Sequence, residues 1–520
     1  MTARTKQELY DRFSSGGSAT HNISQIEQEF EDLIDSIGVT GSLTVAASDA
    51  SNASKGRADY RCDGTADNVE IQAALDALPA AGGKVVLSEG TFTITTGITE
   101  TSDNVHIQGA GMEATKIVPA DALTAFTFDG APFGSISDLS ISAASQQTSG
   151  AGVHWYKNCY QMHAERVFIN NMYDGFIVES YIVATGVSQV YAGWITDCVF
   201  WETKNDVFSL LRFCGLFIEG CIAWNTTNCA NGIHWTGGTA PFASEALWIR
   251  NCDFMLCGVG FHIDNTDGDI SLAHLFLNNV AFDTGSGAGV YITGTNTIWQ
   301  LHFDNLWCSG STAGHGFVLY DASGLKNCSL TSPKLQSNYN SGIWINSGSN
   351  IQIIGGTIND NNQEDSGTLG EKHGIYMYAG TDVSIIGTRI GNLAGTGNQD
   401  YGIYLETGVT RAMVQSCNLL DNDTAGMYAA DWTDSMARNN YGTVTENSGT
   451  SAIASGQTTK VVAHGLATTP TAVSIDFREQ GTSDYGRWWV SALGSTGFTL
   501  NVSADPGASN LDFGWEAKVR

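Results

Sequence analysis

Three carboxylates within six residues are the strongest indication of chemistry in this sequence. Asp264, Asp267 and Asp269 share the segment Asp264-Asn265-Thr266-Asp267-Gly268-Asp269. Carboxylates held close together take different pKa values, so one can act as an acid while another stays a base, and glycosidases use such pairs. We therefore predict Asp264 and Asp267 as catalytic residues. Two alternatives stay open, an acidic turn and a structural cation held by the three carboxylates. We expect no other cofactor.

Ring side chains recur at regular intervals along the same part of the chain. Each stands two residues after a glycine that opens a short apolar segment, as in Gly232-Ile233-His234-Trp235. In a strand such a residue points away from the core. Apolar surface left in water usually marks a binding site, and rings suit the C–H faces of sugars. Burial of the rings between subunits of a trimer is an equally open interpretation. The predicted substrate-binding residues are His234, His262, Tyr291, Trp344, Tyr376 and Tyr404.

The repeating glycine also predicts the architecture that positions these side chains. It returns about once every 27 residues from Gly152 to Gly426, with Asp206-Val207-Phe208 in place of one missing copy. A repeat of this length is typical of a solenoid, in which each unit packs only on its neighbours. Apolar alternation with period 2, without helical periodicity, predicts strands. The sequence therefore predicts an all-β solenoid, a parallel β-helix.

A second strand recurs between the glycines and ends in Asn, Asp, Gly or Ser. Phe303-Asp304-Asn305 is one example, and Asp304 is our third catalytic candidate. Glu219 holds the same position three repeats earlier, about 14 Å away at 4.8 Å per coil, which is too far for a direct pair. Arg250 lies between them, and a surface ion pair is the ordinary interpretation.

Charge and cysteine content narrow the classes of partner. The 520 residues carry a formal net charge of −29, which argues against nucleic acid and anionic membrane as the main partner. The 11 cysteines form no CxxC-type metal cluster, and several share one repeat position, which favours buried, reduced thiols. The segment Met1-Thr2-Ala3-Arg4-Thr5-Lys6 lacks the apolar stretch of a signal peptide. We expect folding in a cytoplasm and no membrane insertion.

The chain divides into four parts by pattern. Residues 1–40 contain an amphipathic helix, and residues 41–60 are a Ser/Ala/Gly-rich linker. Residues 61–440 form the parallel β-helix, opened by a capping helix for which Asp67 is the predicted N-cap. Five short strands within 445–520 indicate a small antiparallel β domain.

Several motifs resemble pectate-lyase-like right-handed parallel β-helix proteins. They are Asp63-Gly64-Thr65-Ala66-Asp67-Asn68, Ile71-Gln72-Ala73-Ala74-Leu75, Gly82-Gly83-Lys84-Val85-Val86-Leu87 and Ile107-Gln108-Gly109-Ala110-Gly111. Bacteriophage tailspikes and polysaccharide depolymerases are prominent in that family. The segment Arg4-Thr5-Lys6-Gln7-Glu8-Leu9 looks like the virion-attachment segments of phage appendage proteins. The resemblance implies a right-handed coil and a homotrimeric, carbohydrate-directed spike.

These observations favour a phage tailspike that binds and cleaves host surface polysaccharide as an endo-glycosidase. Residues 1–40 would attach to a virion tail or baseplate protein, and the spike would act at the host cell surface. Three alternatives remain: a binding-only receptor spike, a polysaccharide lyase of the same fold, and a virion rod without sugar affinity.

Overall fold

The chain is a rod of stacked coils followed by two small sheets. The computed structural model describes residues 41–183, 186–188, 190–237, 244–266, 271–365, 367–393, 398–430, 434–478 and 485–519. The helix predicted within residues 1–40 lies outside the described residues. Within them, a single 33-stranded sheet winds from residue 42 to residue 438, and its strands pair in parallel with the equivalent strand of the next coil. This is the predicted parallel β-helix.

The strand and helix bounds follow the repeat. The helices are α1 (Asn52–Arg57) and α2 (Asn68–Asp76). The strands up to the middle of the rod are β1 (Ser42–Ala46), β2 (Tyr60–Arg61), β3 (Gly83–Leu87), β4 (Gly90–Ile94), β5 (Ile98–Glu100), β6 (Val105–Gln108), β7 (Thr115–Pro119), β8 (Phe126–Asp129), β9 (Ser135–Ser142), β10 (Ala151–Tyr156), β11 (His163–Asn170), β12 (Asp174–Glu179), β13 (Tyr181–Val183), β14 (Gly186–Ser188), β15 (Val190–Thr196), β16 (Val199–Trp201), β17 (Asp206–Leu211), β18 (Phe213–Glu219), β19 (Ile222–Thr236) and β20 (Ser244–Asp264). Those that follow are β21 (Leu272–Asp283), β22 (Val290–Thr293), β23 (Ile298–Ser309), β24 (Phe317–Tyr320), β25 (Leu325–Thr331), β26 (Lys334–Gln336), β27 (Ile343–Ile345), β28 (Ser349–Ile354), β29 (Thr357–Asn359), β30 (Ile375–Ile386), β31 (Arg389–Gly391), β32 (Tyr401–Thr410), β33 (Met413–Gln415), β34 (Ala425–Ala429), β35 (Met436–Arg438), β36 (Glu446–Ile453), β37 (Thr459–Ala463), β38 (Ala472–Phe477), β39 (Trp488–Ser491), β40 (Gly497–Val502) and β41 (Leu511–Lys518).

Three stacks of strands give the rod three faces. The first stack begins each repeat, and its buried residues Phe261, Val290, Phe317 and Ile343 are register partners. The solvent side of this stack is the first face. The second face belongs to the next stack, in which Leu247, Leu275 and Leu301 are partners. The third face follows it, with partners such as Ala223 and Phe254. Apolar residues of all three stacks fill one continuous core.

The repeat glycine stands at a corner where neighbouring coils come closest. A Cβ atom built on Gly289, Gly316, Gly342, Gly374 or Gly402 would lie 2.7–2.8 Å from the carbonyl oxygen of the next repeat glycine. No side chain fits there without displacing backbone. The glycine therefore recurs because close packing of successive coils requires it.

The N-terminal cap differs from the prediction in two ways. The expected linker 41–60 instead contributes β1, which pairs with β2 and β3, and Val45 and Ala46 are buried in the core. Asp67 stands at the N-cap of α2, but its side chain makes no cap hydrogen bond. Its oxygens accept from the backbone N–H groups of Gly64 and Thr93, so the carboxylate ties α2 to the first coils.

The segment after residue 440 forms two three-stranded antiparallel sheets with their own core. Their strand orders are β36-β41-β38 and β37-β40-β39. Five of these strands were expected, and β36 is additional. The cysteines are all unpaired, and all but the half-buried Cys214 are buried, in agreement with the expected core thiols. Among the described residues, neither helix has the length and apolar content that a bilayer span requires.

Candidate functional site

Three ionisable residues predicted to act in catalysis or binding lie together on the first face. Asp264, His234 and His262 come from the ends of β19 and β20, where His234 pairs with His262. Asp174 and Asp206 stand beside them, at the starts of β12 and β17. We name these five residues the acid–imidazole cluster.

The cluster is organised around Asp206. This residue is only 2% exposed, and its two oxygens contact different partners. One accepts a hydrogen bond from Asn231 Nδ2 at 2.8 Å, and the other lies 3.1 Å from His234 Nδ1. The His234 ring is thereby oriented with Nε2 away from the carboxylate. Within the described residues, Nε2 of His234 and Nε2 of His262 are buried without a hydrogen-bond partner.

The two stacked imidazoles have pKa values shifted in opposite directions. Their ring centroids are 4.9 Å apart and nearly parallel. Burial is the largest influence on His234 and acts to lower its pKa. The hydrogen bond and charge of Asp206, with the charges of Asp264 and Asp174, outweigh it and raise the pKa. Burial lowers the pKa of His262, and the neighbouring His234 adds to that effect.

Asp174 is a buried carboxyl group that resists ionisation. Burial raises its pKa to about 6, although hydrogen bonds from Asn205 and from the backbone of Asp206 act in the opposite direction. The negative charge of Asp206, one coil away, adds to the increase. The cluster therefore holds groups that change protonation near neutral pH, which is a common property of acid–base sites.

The predicted acidic residues separate in the structure. Asp264 Oδ1 accepts hydrogen bonds from the backbone N–H and the hydroxyl of Thr266, which close a local turn. Asp267 and Asp269 lie outside the described residues. Asp304 lies on the second face, where it accepts a hydrogen bond from Asn278. Asp264 and Asp304 thus belong to different faces of the rod and cannot form one catalytic pair within a chain.

The remaining predicted rings continue along the first face toward the C-terminus. Tyr291 contacts His262 with centroids 5.3 Å apart, and Trp344, Tyr376 and Tyr404 follow in the same file. Tyr404 stacks on Tyr428 at 4.5 Å. All six predicted binding residues therefore share one face, with the acid–imidazole cluster in its N-terminal half.

The sequence analysis missed a file of polar side chains directly before the repeat glycines. Asp174, His315 and His373 occupy this position, and Asp206 precedes Val207, which replaces the glycine in one repeat. They reach the rings of the following coil: His315 stacks on Trp344, and His373 stacks on Tyr404. The residue type directly before each glycine was the available signal.

A second aromatic ladder, also missed, runs along the second face. Consecutive ring centroids lie 4.4–5.7 Å apart, with planes within 20° of parallel. Its members are His163, Trp194, Phe217, Trp248, Phe276 and His302. An open groove of about 400 Å³ beside it contains Arg250, Asn278 and Asp304. The predicted file of Glu219, Arg250 and Asp304 is confirmed by the strand register, which also places Asn278 between Arg250 and Asp304.

One group in the N-terminal cap has the spacing of metal ligands. Donor atoms of Cys62, Asp67 and Glu70 lie within 4.8 Å of one another. Both oxygens of Asp67 already accept backbone hydrogen bonds. Burial raises the pKa of the Cys62 thiol, which keeps it protonated. This group fits a structural role in the cap better than a metal site.

A model of the right handed beta helix region matches residues 288–465. The fold of the chain is a right-handed parallel β-helix. Among solved structures, the β-helix is similar to bacteriophage CBA120 tailspike protein 3, at 14% identity and a TM-score of 0.53, over 84% of this chain and 68% of that one. It is also similar to a tailspike protein mutant of E. coli bacteriophage HK620 in complex with a hexasaccharide, at 9% identity and a TM-score of 0.53, over 94% of both chains.

A third similar structure is bacteriophage phi29 gene product 12, at 12% identity and a TM-score of 0.52. That match covers 81% of this chain and 58% of the other. The likeness at these identities is one of fold. A comparison of the sequence with curated proteins finds no match.

Proposed function

We propose that this β-helix is a tailspike that binds a host surface polysaccharide along its first face and hydrolyses it at the acid–imidazole cluster. The observation that carries the proposal is the stacked pair His234 and His262. Groups whose surroundings move their pKa values apart are suited to serve as acid and base. Their position on the same face as the predicted sugar-binding rings supports a polymer substrate.

The proposed reaction uses a proton donor and a carboxylate. Protonated His234, held by Asp206, supplies the proton that the leaving glycosidic oxygen takes up as the C–O bond breaks. Asp264, with Asp267, takes a proton from the water that attacks the anomeric carbon. The products are a new reducing end and a free hydroxyl. Asp304, the remaining catalytic candidate, lies on the second face, so it would serve catalysis only in a subunit arrangement that leaves the second-face groove open.

Cleavage by elimination is a second candidate. Neutral His262, whose pKa is lowered, contacts Tyr291 and is suited to remove a carbon-bound proton. Elimination in polysaccharides needs a uronate, however, and the net charge of −29 disfavours anionic polymers. We therefore favour hydrolysis of a polymer without dense negative charge.

We further propose that the protein is a homotrimer that meets its copies through the second-face ladder. The ladder rings cover one another's faces, so they present edges, which suit packing against protein better than stacking on sugars. Arg250 and Asp304 flank the ladder with opposite charges, as a face that packs against copies of itself requires.

We also propose that residues 1–40 attach the protein to a virion tail or baseplate protein. The protein would fold in the host cytoplasm and act at the host cell surface. Neither nucleic acid nor membrane insertion has a place in this proposal.

The decisive experiment incubates the full chain with a panel of bacterial and archaeal surface polysaccharides. New reducing ends without ultraviolet absorbance of unsaturated uronates would establish hydrolysis. Absorbance would establish a lyase. A polysaccharide that is retained but never shortened would make the protein a binding-only spike, and the absence of any affinity would make it a structural rod.

Substitutions in the cluster then test the residue roles. We expect His234→Gln and Asp264→Asn each to reduce turnover about 100-fold to 10,000-fold while sparing binding, the range for a lost general acid or base. Asp267→Asn and Asp304→Asn test the two remaining catalytic candidates in the same assay. Asp382→Asn, in an exposed ion pair with Arg411, is the matched control. Unchanged turnover in Asp264→Asn and Asp267→Asn would overturn their assignment.

A further inference from the structure

An open cavity of about 480 Å³ lies on the C-terminal half of the first face, separate from the acid–imidazole cluster. We name it the ring pocket and define it by Tyr320, Trp344, Asn346, Gly370 and Tyr376. Trp344 contacts Tyr320 with ring centroids 5.4 Å apart. Trp344 and Tyr376 are register partners on neighbouring coils, but these two described rings do not contact each other. The pocket therefore lies where the file of rings is interrupted.

A glycine keeps the ring pocket open. A Cβ atom built on Gly370 would lie 3.1 Å from Nε1 of Trp344 and 3.4 Å from Cε1 of Tyr376. A larger side chain at this position would therefore fill the space beside both rings. Ser341 Oγ donates a hydrogen bond to the carbonyl oxygen of Gly370 at 3.1 Å and accepts one from the backbone N–H of His373 at 3.0 Å. The loop that carries Gly370 is thus fixed to the coils, as a preformed binding pocket requires.

The ring pocket contains two polar groups that the protein itself does not use. Among the described residues, neither the indole N–H of Trp344 nor the side-chain amide of Asn346 has a hydrogen-bond partner. The indole can only donate, whereas the amide can both donate and accept. Trp344 and Asn346 stand two residues apart, so their side chains lie on the same side of the chain, about 7 Å apart at the strand rise. One small group can therefore reach both.

The groups that line the pocket do not favour a charged ligand. No lysine or arginine is among the described lining residues, so an anionic group would find no opposite charge. Burial lowers the pKa of His315 to about 4, and burial with the charge of Glu406 raises that of Tyr376 to about 12, so both are neutral at pH 7. Glu371, which also lines the pocket, already has a partner and does not require a cation from the ligand.

Apolar rings beside a free donor and a free amide suit a neutral group that is itself part apolar and part amide. An acetamido group has this composition. Its carbonyl oxygen can accept a hydrogen bond from Nε1 of Trp344, its N–H can donate to Oδ1 of Asn346, and its methyl group packs against the rings. A sugar hydroxyl in the same place would leave the ring surface without an apolar contact.

We infer that the ring pocket binds the acetamido group of an N-acetylated amino sugar in the polysaccharide. The inference names the substrate class of the proposed function and rests on it for biological meaning. The binding itself is measurable without cleavage.

The test titrates the full chain with two pairs of sugars, N-acetylglucosamine with glucose and N-acetylgalactosamine with galactose. Ligand-observed NMR or calorimetry detects the binding. We expect saturable binding of at least one N-acetylated sugar and at least about tenfold weaker binding of its parent sugar, since two hydrogen bonds and a methyl contact are lost. Glucosamine, which has the amino group without the acetyl group, should bind no better than glucose.

Two variants test the polar groups of the pocket. Trp344→Phe keeps a ring and removes the N–H, and Asn346→Leu keeps the size of the side chain and removes the amide. We expect each to weaken binding of the N-acetylated sugar about 3-fold to 10-fold, as loss of one hydrogen bond predicts, and to leave binding of the parent sugar nearly unchanged. A merely structural defect would weaken both. Trp307→Phe, at an exposed tryptophan outside the pocket, is the control and should bind as the original chain does.

A matched pair of glycine variants tests the space in the pocket. Gly370→Val should abolish detectable binding, because its side chain would occupy the space beside Trp344 and Tyr376. Gly367→Val lies in the same loop, and a Cβ there meets nothing within 4 Å, so its affinity should be unchanged. Thermal midpoints of all variants verify folding.

The outcomes separate the two proposals. Equal affinity within both sugar pairs, a preference for glucosamine, or an undiminished preference in both Trp344→Phe and Asn346→Leu would overturn the acetamido inference. Binding of an N-acetylated sugar without cleavage of any polysaccharide would support this inference and overturn the proposed hydrolase. Cleavage restricted to polysaccharides without acetamido groups would do the reverse.

Discussion

Two stacked imidazoles on one face of a rod differ because only one of them touches a carboxylate. His234 lies 3.1 Å from Asp206, whereas His262 has burial and a neighbouring imidazole as its main influences. The buried carboxylate of Asp206 thus moves the pKa values of two identical side chains apart, which the proposed roles of proton donor and proton acceptor require. The chemistry of the cluster depends on Asp206 even though Asp206 need not touch a substrate.

Replacement of Asp206 should therefore shift the pH dependence of turnover. In Asp206→Asn the contact that raises the pKa of His234 is weakened, so His234 loses its proton at lower pH. The alkaline limb of the profile of kcat against pH should move to lower pH. Asp382→Asn should leave the limb in place. A profile unchanged in Asp206→Asn would contradict the assignment of His234 as the acid.

Asp174 should reduce stability at neutral pH. Its pKa rises from about 3.9 in an unfolded chain to about 6, so between these values the unfolded chain is ionised while the folded chain holds the proton. Each unit corresponds to about 1.4 kcal/mol, which predicts a penalty approaching 3 kcal/mol above pH 6. Asp174→Asn should raise the free energy of unfolding at pH 8 by up to that amount.

The same substitution should have little effect at pH 4, where Asp174 is protonated in the folded chain and about half protonated in the unfolded one. Denaturant unfolding at both pH values gives the comparison. An equal change in stability at pH 4 and pH 8 would show that the substitution acts through packing and leave no role for the carboxyl charge.

Strand alternation explains which of these residues the sequence could predict. Residues two after the glycine, such as His234 and Tyr404, alternate regularly and were placed outward correctly. Asp174 and Asp206 precede the corner, where the chain turns and simple alternation no longer applies. Their contacts depend on the next coil, about 28 residues away, and not on local spacing.

At the scale of the element, the glycine corner is the most constrained feature of each coil. At Gly342 a Cβ would lie 2.8 Å from both Asn361 Nδ2 and Gly374 O. Backbone on the next coil cannot withdraw without disturbing the hydrogen bonds of several strands. The close spacing of neighbouring coils at this corner therefore requires glycine.

Gly342→Ala should lower stability, because overpacking of a close contact costs about 1–3 kcal/mol. Gly56→Ala is the matched control, because a Cβ at this position has open space around it. Gly56 lies within α1, where alanine is favoured over glycine by up to about 1 kcal/mol. Thermal midpoints of the two variants should move in opposite directions. An unchanged midpoint for Gly342→Ala would refute the corner argument.

The elements themselves were predictable where the repeat was regular. The glycine strands and the second strands follow period 2 and appear as expected. The strand β1 was missed because Ser42–Ala46 lies in a segment rich in small residues, and its assignment depends on pairing with β3, about 40 residues later. The ladder on the second face was missed, although its rings directly precede the apolar residue of successive second strands, as Trp248 precedes Ile249, so this regular position was the available signal.

At the scale of the whole molecule, the two ring-bearing faces should have different partners. The second-face ladder extends over six consecutive coils, and Phe276 within it is 38% exposed. An apolar strip of this length on a protein with a net charge of −29 favours burial against a copy of the same strip.

Trp248→Glu should therefore convert a trimer into monomers, because burial of an unpaired charge in an apolar interface is unfavourable. Light scattering after size-exclusion chromatography measures the mass. Trp307→Glu, at an exposed tryptophan of the third face, is the control and should stay trimeric. A trimeric Trp248→Glu variant would exclude the second-face ladder as the interface.

The in-register pairing of the first face also fixes a length. His262, Tyr291, Val318 and Trp344 are successive partners, so the Trp344 ring lies three coils from the acid–imidazole cluster, about 14 Å at 4.8 Å per coil. Backbone hydrogen bonds set this rise, and no ligand can stretch it. A glycan that is bound at the Trp344 ring and cleaved at the cluster therefore spans a fixed distance. The fragments that the proposed cleavage releases should then share a preferred length, which this distance sets.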